Sequence, residues 1–355
     1  MKNTLSNLFL NINPAMAASN TSNVLMGGLG ALKGMKKPPR VPFVSETVSI
    51  GDIDCCLHTY DPVSTYSGTP PKALIVFFHG WNAHGTFPTS RILADLMVAN
   101  GYAFMAPDLP GHGLTSGLRG YLESGEKMID FATKITEYAF QSYVSRVAAE
   151  KAKRGPDGGN PGLKLFLIGS SLGGNLSLHV SLRRKDLVSG IILMAPMLKI
   201  SLITPFLTKM FTKQLAAALP KLEAIPIGKN YNYRDPTIAE ECEKDKLKPH
   251  QVGDKGRLGT VQTLFELERL LQEQFEDVFC PCFAMVGDED TTVNNQGAVD
   301  LCRIARSQDM ALKRYPARHG LMGEPSPLVD KMQYDMIRWL DERCSSQEVF
   351  IRSSL

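Results

Sequence analysis

Three residue types, far apart along the chain, carry the chemistry that a serine nucleophile requires. Ser171 lies in Gly169-Ser170-Ser171-Leu172-Gly173-Gly174, with the strand-like run Leu163–Ile168 before it and the helical pattern Asn175–Leu182 after it. Strand, sharp turn and helix are the surroundings in which Gly-x-Ser-x-Gly lifts a serine hydroxyl above a sheet. The demand is steric: positions two before and two after the serine have no room for bulky side chains. Gly169 and Gly173 meet it, and Gly174 lets the helix approach the sheet. The positive end of that helix then lies beneath Ser171.

A serine hydroxyl is a weak nucleophile until a histidine takes its proton and a carboxylate orients the histidine. On a strand–turn–helix site the partners follow in the order acid, then histidine. His319 is the only histidine after the acidic candidates, and it lies just past the strand pattern Ala311–Tyr315. The strand pattern Cys282–Val286 runs into Gly287-Asp288-Glu289-Asp290. Asp290 is taken as the acid because a loop leaving that strand can turn its side chain toward the histidine. Asp288 is the rival, since position alone does not separate residues two apart. The developing oxyanion needs preorganised N–H donors. These are assigned to the backbone of Leu172 and to that of Trp81, beside the strand-end turn His79-Gly80. His112, in a Pro-Gly-His-Gly turn, reads as a residue that holds loops together.

The elements that must position these residues alternate. Val44–Ile50 and Ile53–Tyr60 read as a hairpin at a sheet edge. Ala73–Phe78 is continuously apolar, as in a parallel strand covered on both faces. Helix Thr89–Asn100, strand Tyr102–Ala106 and helix Ile129–Lys153 follow. Beyond the serine come strand Gly190–Ala195, the strand before Asp288, helix Asn295–Arg306, the strand before His319 and helix Leu328–Arg343. This order predicts an α/β fold with a doubly wound, mostly parallel sheet. Alternation stops between Pro196 and about Lys248, so residues 197–248 are expected to form a helical cap inserted into a core of 41–196 and 249–345. Residues 1–40 read as a basic, flexible segment, with a leader or a peripheral membrane arm as alternatives, and 346–355 as a tail.

Composition narrows the class. Hydrophobic content of 43% and charged content of 21% are those of a globular protein. A net charge of +3, with its Lys and Arg scattered, argues against nucleic acid as a partner. Seven cysteines without paired zinc spacing point to buried thiols in a reducing, cytoplasmic setting. No His-Glu-x-x-His or thiol cluster supports a metal, and no run approaches the ~18 apolar residues of a membrane span. Gly28-Leu29-Gly30 has no strand before it and is not read as a nucleotide loop.

Several further motifs join these: Asp108-Leu-Pro-Gly111-His-Gly113-Leu-Thr-Ser116-Gly117-Leu-Arg-Gly120-Tyr121, Ala195-Pro196-Met197-Leu198-Lys199-Ile200 and Tyr315…His319. With them the chain resembles the monoacylglycerol lipase group of serine α/β-hydrolases, most of all its plant-type members, from about Val44 to Arg343. The resemblance implies the α/β-hydrolase fold, catalytic roles for Ser171, Asp290 and His319, and oxyanion donation from Trp81 and Leu172. It implies an acyl-ester lipid as substrate, monoacylglycerol first, and no cofactor. Lysophospholipids and phenolic (caffeoylshikimate-type) esters are the alternatives, and a hydrolase-fold receptor with little turnover is the rival of another class. The chain departs from the family twice. His79-Gly80-Trp81-Asn82 stands where animal members have His-Gly-x-Gly, and Arg318-His319 replaces Tyr-His. Within the cap, Met197–Phe211 is more apolar than one helical stripe needs. Peripheral membrane contact through this stretch, with Leu202 and Leu207 delivering lipid to Ser171, is the expectation there, and packing of the cap against the core is the alternative.

Overall fold

The computed structural model describes residues 40–60, 71–154, 163–200, 214–227 and 231–345. Val44–Ile50 (β1) and Ile53–Tyr60 (β2) pair antiparallel from Val44 against Thr59 to Ile50 against Ile53. This hairpin is one edge of an eight-stranded sheet ordered β1-β2-β4-β3-β5-β6-β9-β10. The other strands of that sheet are β3 (Leu74–Phe78), β4 (Ala103–Pro107), β5 (Leu165–Ser170), β6 (Val188–Met194), β9 (Cys282–Gly287) and β10 (Met310–Tyr315). Among the strand pairs of this sheet, only β1–β2 and β2–β4 are antiparallel. Helices α1 (Pro88–Ala99), α2 (Gly125–Arg154), α3 (Leu172–Arg183), α4 (Pro236–Lys244), α5 (Leu258–Gln272) and α6 (Gln296–Ile304) fill the connections, and α7 (Leu328–Ser345) follows the last strand.

The continuous apolar run of β3 follows from burial on both sheet faces. Leu74, Val76 and Phe78 enter a core with α2, α3 and α5, through Phe131, Leu176 and Leu267. Ile75 and Phe77 point the other way, into a core with α1 and α7 through Leu93, Met336 and Trp339. A strand alternates its side chains, so a run with no polar position is what two apolar layers select. The chain moves from β3 to β4 on one side and returns to β5 on the other. The switch point of the sheet therefore lies between the carboxyl ends of β3 and β5, where sites gather in open α/β sheets.

Observed boundaries differ from the expected ones by a few residues. Two features were not anticipated. Within residues 197–248, expected to be a helical cap, lies β7 (Glu223–Pro226), which pairs antiparallel with β8 (Lys255–Arg257) in the stretch expected to belong to the core. Helix α5 was not read from the sequence at all. Its inward positions Thr263, Leu267 and Leu271 have helical spacing, but Thr260 and Thr263 blunt the apolar signal because they bond the Gly120 and Leu122 carbonyls. Leu202 and Leu207 lie outside the described residues, whereas Met197 and Leu198 at the start of the same stretch are buried in the sheet core. Among the described residues no helix is long and apolar enough to cross a membrane.

Candidate active site

The turn after β5 is strained where a nucleophile would sit. Ser171 has φ 52° and ψ −114°, a backbone region costly for a residue with a side chain. Its amide donates to the Met194 carbonyl, and its carbonyl accepts from Met197 and Gly174. These bonds hold the conformation from both sides. Gly169 and Gly173 face each other so closely that a Cβ on Gly169 would overlap the Gly173 carbonyl, and one on Gly173 would overlap the Phe78 carbonyl. Gly174 packs on Pro196.

Register brings the next strand end alongside. Phe78 of β3 pairs with Gly169 of β5, so His79-Gly80-Trp81 leaves the sheet beside Ser170-Ser171. A Cβ at Gly80 would stand 3.3 Å from that of Ser171. His79 orients this turn. Its Nε2 accepts from the Leu109 N–H at 2.9 Å, so Nδ1 carries the proton and donates to the Gly80 carbonyl at 2.8 Å. Gly80 C=O and Trp81 N–H belong to one planar peptide and point in opposite directions, so holding the oxygen aims the N–H. Among the described residues, neither the Trp81 nor the Leu172 backbone N–H has a protein acceptor. Both residues border one cavity of about 570 Å3 with Ser171 and His319.

Asp290 and His319 arrive from the ends of the last two strands of the sheet. Asp290 follows β9 and His319 follows β10, and His319 Nδ1 donates to Asp290 Oδ2 at 2.7 Å. The other Asp290 oxygen accepts from the amides of Thr292 and Val293 at 2.8 and 3.0 Å, which fixes the carboxylate. Its side chain is fully buried. Asp288, the rival, points away and pairs with Arg314 at the surface. Arg318 donates to the carbonyls of Tyr231 and Tyr233, and the Gly320 amide donates to Asn232, so the His319 loop is braced against the segment before α4.

Other titratable groups here are structural. Burial holds His79 neutral, at about 4, and His112 at about 3, where it donates to the Pro110 carbonyl beside the His79 ring. Sequence reasoning missed the cluster of Cys56, His58 and Asp108, whose ligand-type atoms lie within 4.8 Å of one another. It is engaged as an ion pair: His58 Nε2 faces Asp108 at 3.2 Å, while Asp108 also accepts from the Gly85 and Leu114 amides. Burial opposes a charge on His58, yet its bonds to Asp108 and Cys56 lift it to about 9. The signal was the inward position of His58 on β2 opposite Ala106, legible only once β2 and β4 are paired.

A pH prediction follows from these imidazoles. His179 is also held down, to about 4, by burial. An unfolded histidine titrates near 6.5, so as pH falls below that value the unfolded chain binds protons that folded His79, His112 and His179 refuse. Each is expected to remove about 2 kcal/mol of stability between pH 7 and pH 5. His58 acts in the opposite sense: its pairing is fully present below about 6.5 and lost as pH rises through about 9. Melting temperature should therefore fall on both sides of neutrality, and a flat profile from pH 7 to 5 would contradict the neutral assignments.

The chain matches the Hydrolase_4 family (serine aminopeptidase, S33) over residues 69–326. It is 27% identical over 279 residues to caffeoylshikimate esterase of Arabidopsis thaliana, covering 77% of this chain and 78% of that protein. It is 26% identical over 283 residues to the monoglyceride lipase of Homo sapiens, covering 79% of this chain and 86% of that protein. Among solved structures, a soluble variant of the monoglyceride lipase of Saccharomyces cerevisiae superposes with a TM-score of 0.71. That likeness covers 88% of this chain and 98% of the other at 19% identity, and it shows the fold.

Proposed function

Because this chain belongs to the Hydrolase_4 (serine aminopeptidase, S33) family, we propose that it hydrolyses carboxylic esters of lipids, with monoacylglycerol as its substrate. The observation that supports this reading most is the bond of 2.7 Å from His319 to the buried Asp290, with His319 lining one cavity together with a positive-φ Ser171. Ser171 Oγ attacks the ester carbonyl carbon while His319 Nε2 takes the hydroxyl proton. The carbonyl oxygen becomes an oxyanion between the Trp81 and Leu172 N–H groups. Collapse expels the alcohol, which leaves with the proton from His319, and the acyl group stays on Ser171. Water then attacks the acyl-enzyme, giving its proton to His319, and the carboxylic acid departs as Ser171 recovers its hydrogen. Asp290 keeps the other proton on Nδ1, so that Nε2 alone takes up and returns the proton in each half of the reaction.

The relatives named for monoglycerides and for a phenolic ester set the terms of the test. Steady-state hydrolysis is measured over long-chain monoacylglycerols, lysophospholipids, phenolic esters and an aminoacyl amide. The largest kcat/KM is expected on monoacylglycerol. A maximum on a lysophospholipid or phenolic ester would move the substrate, and a maximum on the amide would replace esterase with peptidase. Turnover that stops after one or a few events on every substrate would make the protein a receptor.

A further inference from the structure

We propose that Asn82 is a positioning residue for this reaction, holding the Trp81 N–H in place by clamping the loop after β3 to the backbone of His250. The inference rests on the assignment of the Trp81 N–H as an oxyanion donor. Asn82, the residue next to that donor, has φ +63°, and among the described residues only Ser171 and Ala195 share a positive φ without being glycine. Asparagine is one of the few side chains that visits this region at small cost. Glycine would serve the turn equally well. What asparagine adds is an amide with both ends engaged: Nδ2 donates to the His250 carbonyl at 3.2 Å, and Oδ1 accepts from the His250 amide at 2.8 Å. The side chain thus pairs with one residue's backbone as a neighbouring strand would.

A second strut runs parallel to the first. His84, from the same loop, meets Asp245 through Nε2 at 3.0 Å and Thr86 through Nδ1 at 3.1 Å, with only 1% of its surface exposed. Asp245 also accepts from the amides of Leu247 and Lys248, so the stretch that carries His250 is shaped by the residue His84 holds. The Trp81 indole itself donates to the Gly120 carbonyl at 3.2 Å and packs against the His250 ring, with centroids 5.6 Å apart. The Gly80–Trp81 peptide is therefore held by His79 on one side and by Asn82 on the other. The distal segment, which lies outside the sheet, becomes the splint for a donor inside the site. Preorganisation is what gives an oxyanion donor its effect, because a dipole that reorients during the reaction loses much of its stabilisation.

The test replaces Asn82 by glycine, which keeps the left-handed backbone and removes both clamp bonds. On a soluble short-chain ester, Asn82→Gly is expected to lower kcat roughly 10- to 100-fold with KM within about threefold. The rate of fluorophosphonate labelling should fall in parallel, since that adduct uses the same donors. Asn82→Asp keeps the acceptor for the His250 amide but sets a second carboxylate oxygen against the His250 carbonyl, so its kcat should also fall at least roughly 10-fold, and it carries the test if the glycine variant does not fold. Unchanged kcat, or a loss confined to KM and melting temperature, overturns the proposal. Ser171→Ala separates the two readings. If it retains turnover, the catalytic assignment itself fails; if it is inactive while Asn82→Gly is normal, only the role of Asn82 fails.

Discussion

Ser171→Ala is expected to abolish ester hydrolysis and fluorophosphonate labelling, with kcat reduced roughly a million-fold. The size of the loss follows from the unit Ser171 forms with its partners. Without the hydroxyl, His319 has no proton to accept, and the Asp290 bond orients an idle ring. What survives is binding and the oxyanion donors, worth the residual ~10³–10⁴ over water that remains when such a serine is removed. Stability should hardly change or should rise, because the φ 52° conformation is strained for serine as for alanine and the lost hydroxyl borders a cavity. Ser170→Ala is the control. Ser170 ends β5 and pairs with Met194, so its variant should keep most activity. Labelling that persists in Ser171→Ala and vanishes in Ser170→Ala would shift the nucleophile by one residue.

Asp290→Asn should cost about 10⁴ in kcat with little change in KM. Asparagine at 290 can still accept from the Thr292 and Val293 amides through Oδ1, so the loop keeps its shape. That leaves the amide nitrogen facing His319 Nδ1, which must then accept a hydrogen bond. The ring proton moves to Nε2, and the atom that should take the serine proton is already protonated. Asp288→Asn removes only an exposed pair with Arg314, and such pairs contribute about 0–1 kcal/mol to stability. Its kcat should stay within a few fold. Equal losses in the two variants, or a larger one at Asp288, would reassign the acid.

Much of this organisation is written in local chemistry. The glycines around Ser171 announce a turn with no room for side chains, because steric exclusion acts over a few residues and needs no distant partner. The unbroken apolar run before His79 announces a strand covered on both faces, since alternation is lost only when neither face meets water. Chain order then placed His319 after the acids. Where information had to cross the sheet, the sequence said little or left rivals standing. Asp288 and Asp290 have the same chemistry and nearly the same position. Only the fold turns one toward His319 and the other toward Arg314. His58 is an ordinary strand residue until β2 lies beside β4 and Asp108 comes within 3.2 Å. Asn82 looks like a substituted glycine until His250, 168 residues away, supplies both ends of a hydrogen-bonded pair. Side-chain type and steric tolerance are properties of a residue and its neighbours, so the sequence alone determined the strained turn at Ser171 and the class of sheet. Which polar groups meet is a property of closed loops tens to hundreds of residues long, and only tertiary packing decided it.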